Sequence, residues 1–220
     1  MSTIVVAPHP DDELLGAGGT ILRRKAEGVD VFWLIITGMK KEQGWPVGKI
    51  SKRKEEIKKV SEMLRFKKVF ELNLPTTQLE LVPMNELINK ISYIFKEVEP
   101  SEVFVPHPSD IHTDHRRVFD AVASCTKWFR YPSIHRVLAY ETLSETDFNL
   151  GTNKVFQPNV FIDIEKYLQA KLDAMKIYTS EIGTSPFPRS LEAIEALASL
   201  RGAASGFKAA EAFQLLRERF

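Results

Sequence analysis

The chain has 220 residues, 44% hydrophobic and 27% charged, so it can bury a sizeable core and is not a disordered segment. Lys plus Arg is 30 and Asp plus Glu is 29, a formal charge of +1. That balance gives no electrostatic case for nucleic acid or an anionic membrane surface. The single cysteine, Cys125, excludes an internal disulfide framework and fits a reducing, cytoplasmic setting.

Taken in chain order, strand and helix patterns alternate. Residues 4–7 are a wholly apolar run, as a strand buried on both faces should be, and no secretory leader or membrane span is visible around them. A helix is predicted over 14–27, ended by Gly28, then a buried strand over 29–37 rich in Val, Ile, Phe and Trp. A Gly/Pro loop is expected over 38–50, a charged helix over 51–64, a strand over 69–72 and a loop over 73–83. A helix over 84–97, a strand over 102–105, a loop over 106–114, a helix over 115–128 and a strand over 134–140 follow. Beyond Glu141 the pattern loosens. A strand over 159–164 and helices over 165–178, 191–200 and 209–217 are expected, with 147–158 the most linker-like stretch.

Four strand-helix units and a further strand imply an α/β fold, a mainly parallel sheet with helices on both faces and a strand order near 3-2-1-4-5. No internal repeat is present, so residues 1–220 are read as one domain. Residues 1–140 form its core, and 141–220 an extension that shapes the pocket or an interface.

Four of the five histidines, His9, His107, His112 and His115, fall in two short segments. His9-Pro10-Asp11-Asp12-Glu13 follows the first strand, and Asp110-Ile111-His112-Thr113-Asp114-His115 follows the fourth. In the order 3-2-1-4-5 these strand ends are neighbours whose connections diverge, and ligands bind in such a crevice. Imidazoles and carboxylates are the ligands of a catalytic zinc. His9 and Asp12 lie three apart in a tight turn and can converge on one ion. Asp11 then points elsewhere and is free to take a proton from the attacking water. Of His112 and His115, also three apart, one can ligate while the other donates to a developing oxyanion, and Asp114 can orient a histidine. Together these supply metal-assisted hydrolysis. The same residue types also fit a non-haem iron oxygenase, although those enzymes are usually all-β, or a non-catalytic metal- or sugar-binding module.

Ala7-Pro8-His9-Pro10-Asp11-Asp12-Glu13 together with the His-x-Asp-His element at His112 to His115 resembles the LmbE-like or PIG-L-like N-acetylglucosaminyl deacetylases. Arg53 and Glu56 match an Arg-x-x-Glu of that family. Softer matches follow in Pro158-Asn159-Val160-Phe161-Ile162-Asp163-Ile164, in Lys171 with Ala174 and Tyr178, in Pro188-Arg189-Ser190 and in Ala210-Glu211-Ala212-Phe213. The resemblance implies a Rossmann-like fold and one zinc ion on His9, Asp12 and His115. It implies Asp11 as general base, His112 as acid or oxyanion donor with Asp114 turned towards it, and Arg53 on sugar hydroxyls. The implied partner is a small N-acetylated sugar or conjugate, in a trimeric or hexameric homo-oligomer. Two departures stand out. Thr113 replaces a common Pro, and Thr76-Thr77 follow Pro75 where an Asp that touches substrate is common.

Four features are read as structural. Gly16-Ala17-Gly18-Gly19 fails the dinucleotide-binding template at Ile21 and reads as close helix packing. Ser109 lies in no nucleophile elbow. Cys125 reads as buried packing, and the cations of 49–59, interrupted by Glu55 and Glu56, as a solvated helix face. Trp45, in the loop after the second strand, fits a sugar-site wall and core packing equally.

Overall fold

A computed structural model describes residues 2–151 and 155–220. The strands are β1 (Ser2–Ala7), β2 (Asp30–Gly38), β3 (Lys68–Pro75), β4 (Glu102–Pro106), β5 (Arg136–Tyr140), β6 (Val160–Asp163) and β7 (Ala210–Glu218). The helices are α1 (Asp12–Ala26), α2 (Val47–Leu64), α3 (Met84–Val98), α4 (Thr113–Ser124), α5 (Leu168–Met175) and α6 (Leu191–Ala203). One sheet runs in the order β3-β2-β1-β4-β5-β7-β6. The first five strands are parallel, as their pairings show. β7 pairs antiparallel with both β5 and β6. The expected order 3-2-1-4-5 holds and is extended by two strands.

β1 lies at the centre because it has no polar face. Val5 and Ala7 pack into the layer that holds α1, α2, α5 and α6. Ile4 and Val6 pack into the layer built on α3 and α4. Alternate residues of one strand thus serve two cores, which is why the run is apolar throughout. It also sends the chain to opposite faces after β1 and after β4, which opens the crevice between their ends.

The glycines of α1 allow close packing, as expected. A Cβ on Gly16 would fall within 2.6 Å of the Tyr140 ring, and one on Gly19 within 2.8 Å of Ile164. The C-terminal region also bonds to the helix backbone there. Glu211 of β7 accepts from the backbone N–H of Gly19 at 2.9 Å and of Thr20 at 2.7 Å. Lys171 of α5 donates to the Leu15 carbonyl at 2.9 Å and to Glu211 at 2.7 Å. A buried ion pair from the C-terminal region is therefore inserted into the first helix.

Three expectations change. Residues 210–218 form a strand, not the helix predicted over 209–217. Its Ala, Glu and Leu residues favour helix intrinsically, but pairing on both edges and burial of Phe213 against Phe104 override that preference. α2 starts at Val47, inside the expected loop. The helix expected over 165–178 is confined to Leu168–Met175, preceded by a tight turn over Glu165–Tyr167. Of the linker-like stretch, residues 152–154 lie outside the described residues. No helix among the described residues is long and apolar enough to cross a membrane.

Candidate metal centre and active site

The first wall of the site is the turn between β1 and α1. Thr37 of β2 fixes its start, donating to the Pro8 carbonyl from its N–H at 3.0 Å and from its hydroxyl at 2.8 Å. Asp11 then takes φ +129°, ψ −30°, a conformation L-residues rarely adopt. Its N–H donates to the Glu13 carboxylate at 3.0 Å, and the Tyr178 hydroxyl donates to the same group at 2.9 Å. Burial pushes Glu13 well above the ordinary carboxylate range. The strain turns the adjacent side chains of Asp11 and Asp12 in different directions.

The second wall is the turn into α4. His112 caps that helix by accepting the Asp114 N–H on Nδ1 at 3.1 Å. A neutral His112 therefore carries its proton on Nε2. The Asp114 carboxylate lies within 4.8 Å of a His112 ring nitrogen but makes its hydrogen bonds elsewhere. It lies 2.9 Å from His9 Nε2 and accepts the N–H groups of Thr77 at 2.8 Å and Leu79 at 3.1 Å. The cap places the Asp114 backbone, not its side chain, on His112, which frees the carboxylate to reach across to the first turn.

Two histidines are thus oriented by two carboxylates. His9 Nε2 meets Asp114, and His115 Nδ1 meets Asp110 at 2.8 Å. Their other nitrogens, His9 Nδ1 and His115 Nε2, both turn to Asp12 Oδ2, at 3.4 Å and 3.3 Å. The arrangement calls for positive charge beside Asp12, supplied either by protons on the two rings or by a shared cation. His9, Asp12 and His115 can offer ligand atoms within 4.8 Å of one another, and each imidazole already has the outer carboxylate typical of a metal-bound histidine. The donor set fits a divalent ion such as zinc.

Without an ion, the packed charges pull each group away from its ordinary titration range. Burial opposes a charge on His9, but Asp114 and Asp12 outweigh it and push the ring up to about 9. His115 is likewise raised against its burial by Asp12 and Asp110. Burial favours the protonated acid at Asp12, yet His115 and His9 hold it far below the usual range. Burial, Asp12 and Glu181 push Asp11 up to about 8 against the pull of Arg189. Burial and the two neighbouring rings push His112 down to about 4, so it is neutral at pH 7. A cavity of about 280 Å³ opens over these groups, and Trp45, Ile50 and Lys54 line it on the α2 side.

A family profile described as PIG-L: GlcNAc-PI de-N-acetylase matches residues 4–126, which contain both turns. The chain belongs to the PIG-L family. Among its relatives, a diacetylchitobiose deacetylase of Thermococcus kodakarensis is 26% identical, over 97% of this chain and 82% of that protein. A probable N-acetyl-alpha-D-glucosaminyl L-malate deacetylase of Bacillus cereus is 31% identical, over 81% of this chain and 82% of that protein. Among solved structures, an N,N'-diacetylchitobiose deacetylase from Pyrococcus horikoshii superimposes with a TM-score of 0.80 at 22% identity. That match covers 98% of this chain and 84% of the other, and confirms the fold.

In this PIG-L chain all seven residues singled out in the sequence come together. Arg53 lines the cavity, but most of its N–H groups are engaged. They reach Glu56 at 3.2 Å, the Pro10 carbonyl at 2.8 Å, Ser180 at 3.2 Å and Glu181. The contact with Glu56 is an ion pair and the other three are hydrogen bonds, so part of the guanidinium's donor capacity is left for a ligand. His107 sits away from the cavity lining and bridges Ser109 and Gln214 of β7. Sequence reasoning did not assign Asp110, although it lies in the quoted segment. It also missed Glu13 and Glu181, and gave Arg189 no role. Asp110 and Glu13 adjoin the motifs. Glu181 and Arg189 come from the loop after α5, and Pro188-Arg189-Ser190 was the one local signal.

Proposed function

We propose that this chain hydrolyses the acetamide of an N-acetylglucosamine-type sugar or sugar conjugate. One observation carries the reading: two histidines, each held from outside by its own carboxylate, converge with Asp12 within ligating distance beside a strained Asp11. The deacetylase relatives favour hydrolysis over oxygenation on the same triad. Zinc would be held by His9, Asp12 and His115, where it supplies a Lewis acid that lowers the pKa of water and polarises a carbonyl.

The chain's own groups do the rest. Asp11 accepts the proton of the attacking water as the water oxygen bonds to the acetyl carbon. His112 Nε2–H donates to the oxygen that gains negative charge. The C–N bond then breaks, the proton on Asp11 passes to the departing nitrogen, and acetate and the free amine leave. Asp114 and Asp110 keep the two imidazoles in the tautomers that ligation requires. The remaining donor capacity of Arg53 serves a sugar hydroxyl.

The test is acetate release from N-acetylglucosamine, diacetylchitobiose and N-acetylglucosaminyl malate, with and without a chelator. Release from at least one of them, lost with chelator and restored by zinc, is the expected result. Asp11→Asn should keep its zinc yet lose about 10²–10⁴-fold in rate. No acetate from any of the three, or bound iron with oxygen uptake, overturns the reading.

A further inference from the structure

The turn that carries Asp11 is gripped by two arginines that share one carboxylate. Arg53 of α2 donates to the Pro10 carbonyl at 2.8 Å and pairs with Glu181. Arg189 lies 3.2 Å from Asp11 Oδ2 and 3.5 Å from the other oxygen of Glu181. Consecutive residues of the strained turn are therefore held by a chain of charges, Arg53, Glu181 and Arg189, anchored in α2 and in the loop before α6. Arg189 is three-quarters covered, with its side chain 25% exposed, and its guanidinium lies 5.6 Å from the centre of the Phe187 ring. It also lines the same cavity as the metal-binding cluster.

Only one oxygen of Asp11 is engaged in this way. Oδ1 has no partner among the described residues. A carboxylate with both oxygens free rotates about its terminal bond, because that torsion is broad and soft. A base that must meet one water at one angle loses rate when it does so.

We infer that Arg189 is a positioning residue for the hydrolytic step: by holding Asp11 Oδ2 it presents Oδ1 to the attacking water. The inference rests on Asp11 being the base. It gives the loosely patterned C-terminal region a part in the chemistry, not only in the pocket wall. Glu181 sets Arg189 in turn, as the shared acceptor that keeps both arginines in register.

The test uses the full zinc-loaded chain and the substrate of the three that is hydrolysed fastest. Arg189→Met should lower kcat by about 10²-fold, the cost of a misplaced catalytic group, with KM and zinc content unchanged. Arg189→Lys should fall between Arg189→Met and wild type, and added guanidinium should restore part of the Arg189→Met rate. In an Asp11→Asn background, Arg189→Met should cost nothing further. A crystal structure of Arg189→Met should show the Asp11 carboxylate turned, which needs no substrate at all. A raised KM at full kcat, an additive loss in the double variant, or an unmoved Asp11 overturns the inference. Asp11→Asn at full speed removes the base and the inference with it. A dead Asp11→Asn beside a fully active Arg189→Met removes the inference alone.

Discussion

Residues 2–140 alternate strand and helix, and their five strands run parallel around an apolar centre. Residues 155–220 add a short strand, two helices and a long strand that slots antiparallel between β5 and β6. The first region holds the candidate metal-binding cluster on the ends of its own strands. The second supplies the groups that hold that cluster in place, namely Tyr178 on Glu13, Arg189 on Asp11 and the Lys171–Glu211 pair inside α1. One region provides reactive atoms and the other provides their geometry. Function in such a fold depends on both, although only the first has a motif.

That division can be broken from either side. The largest effect expected is Asp12→Ala, which removes the one oxygen that both inner imidazole nitrogens face. Zinc content measured after dialysis should fall to background, with acetate release lost. Next is Lys171→Met, which leaves Glu211 buried without its cation. Urea unfolding should show a loss of about 3–5 kcal/mol, the usual cost of a buried charge left alone. A loss under about 1 kcal/mol would make the C-terminal region an appendage, not a brace.

Asp110→Asn comes third. It keeps the shape but weakens the group that orients His115, so zinc affinity should drop about 10–100-fold in a competition titration. Unchanged affinity would mean that α4 alone fixes the ring. Smallest is Trp45→Ala, at the cavity wall. It should raise KM about 2- to 10-fold, in line with the ~0.5–1.5 kcal/mol of an aromatic contact, with the melting temperature unmoved. A lower melting temperature at constant KM would assign Trp45 to packing instead.

These regions also differ in how far a reading of residues alone could reach. In the first, local rules agree with the global fold. An apolar four-residue run is a buried central strand, a charged stripe is an exposed helix face, and His9 and His115 meet because strand order brings their turns together. β7 failed because its residues are intrinsically helical. Only the partners on its two edges, 47 or more residues away along the chain, make it a strand. The hydrogen bond of the Asp114 carboxylate to His9 was not legible for a related reason. Spacing shows that Asp114 and His112 are close, but not that a helix cap uses the backbone and leaves the side chain free. The engagement of Arg53 by Glu181 was not legible because Glu181 lies 128 residues further on.

The pair inserted into α1 also has a consequence in time. Glu211 lies 192 residues after Gly19, whose N–H it accepts. At ordinary synthesis rates those residues take about 10–40 s to follow one another out of the ribosome. Through that interval the helix behind Asp11 and Asp12 lacks the partner that completes its hydrogen bonds. The turn that carries Asp11 and Asp12 is made well before the pair that braces the helix behind it.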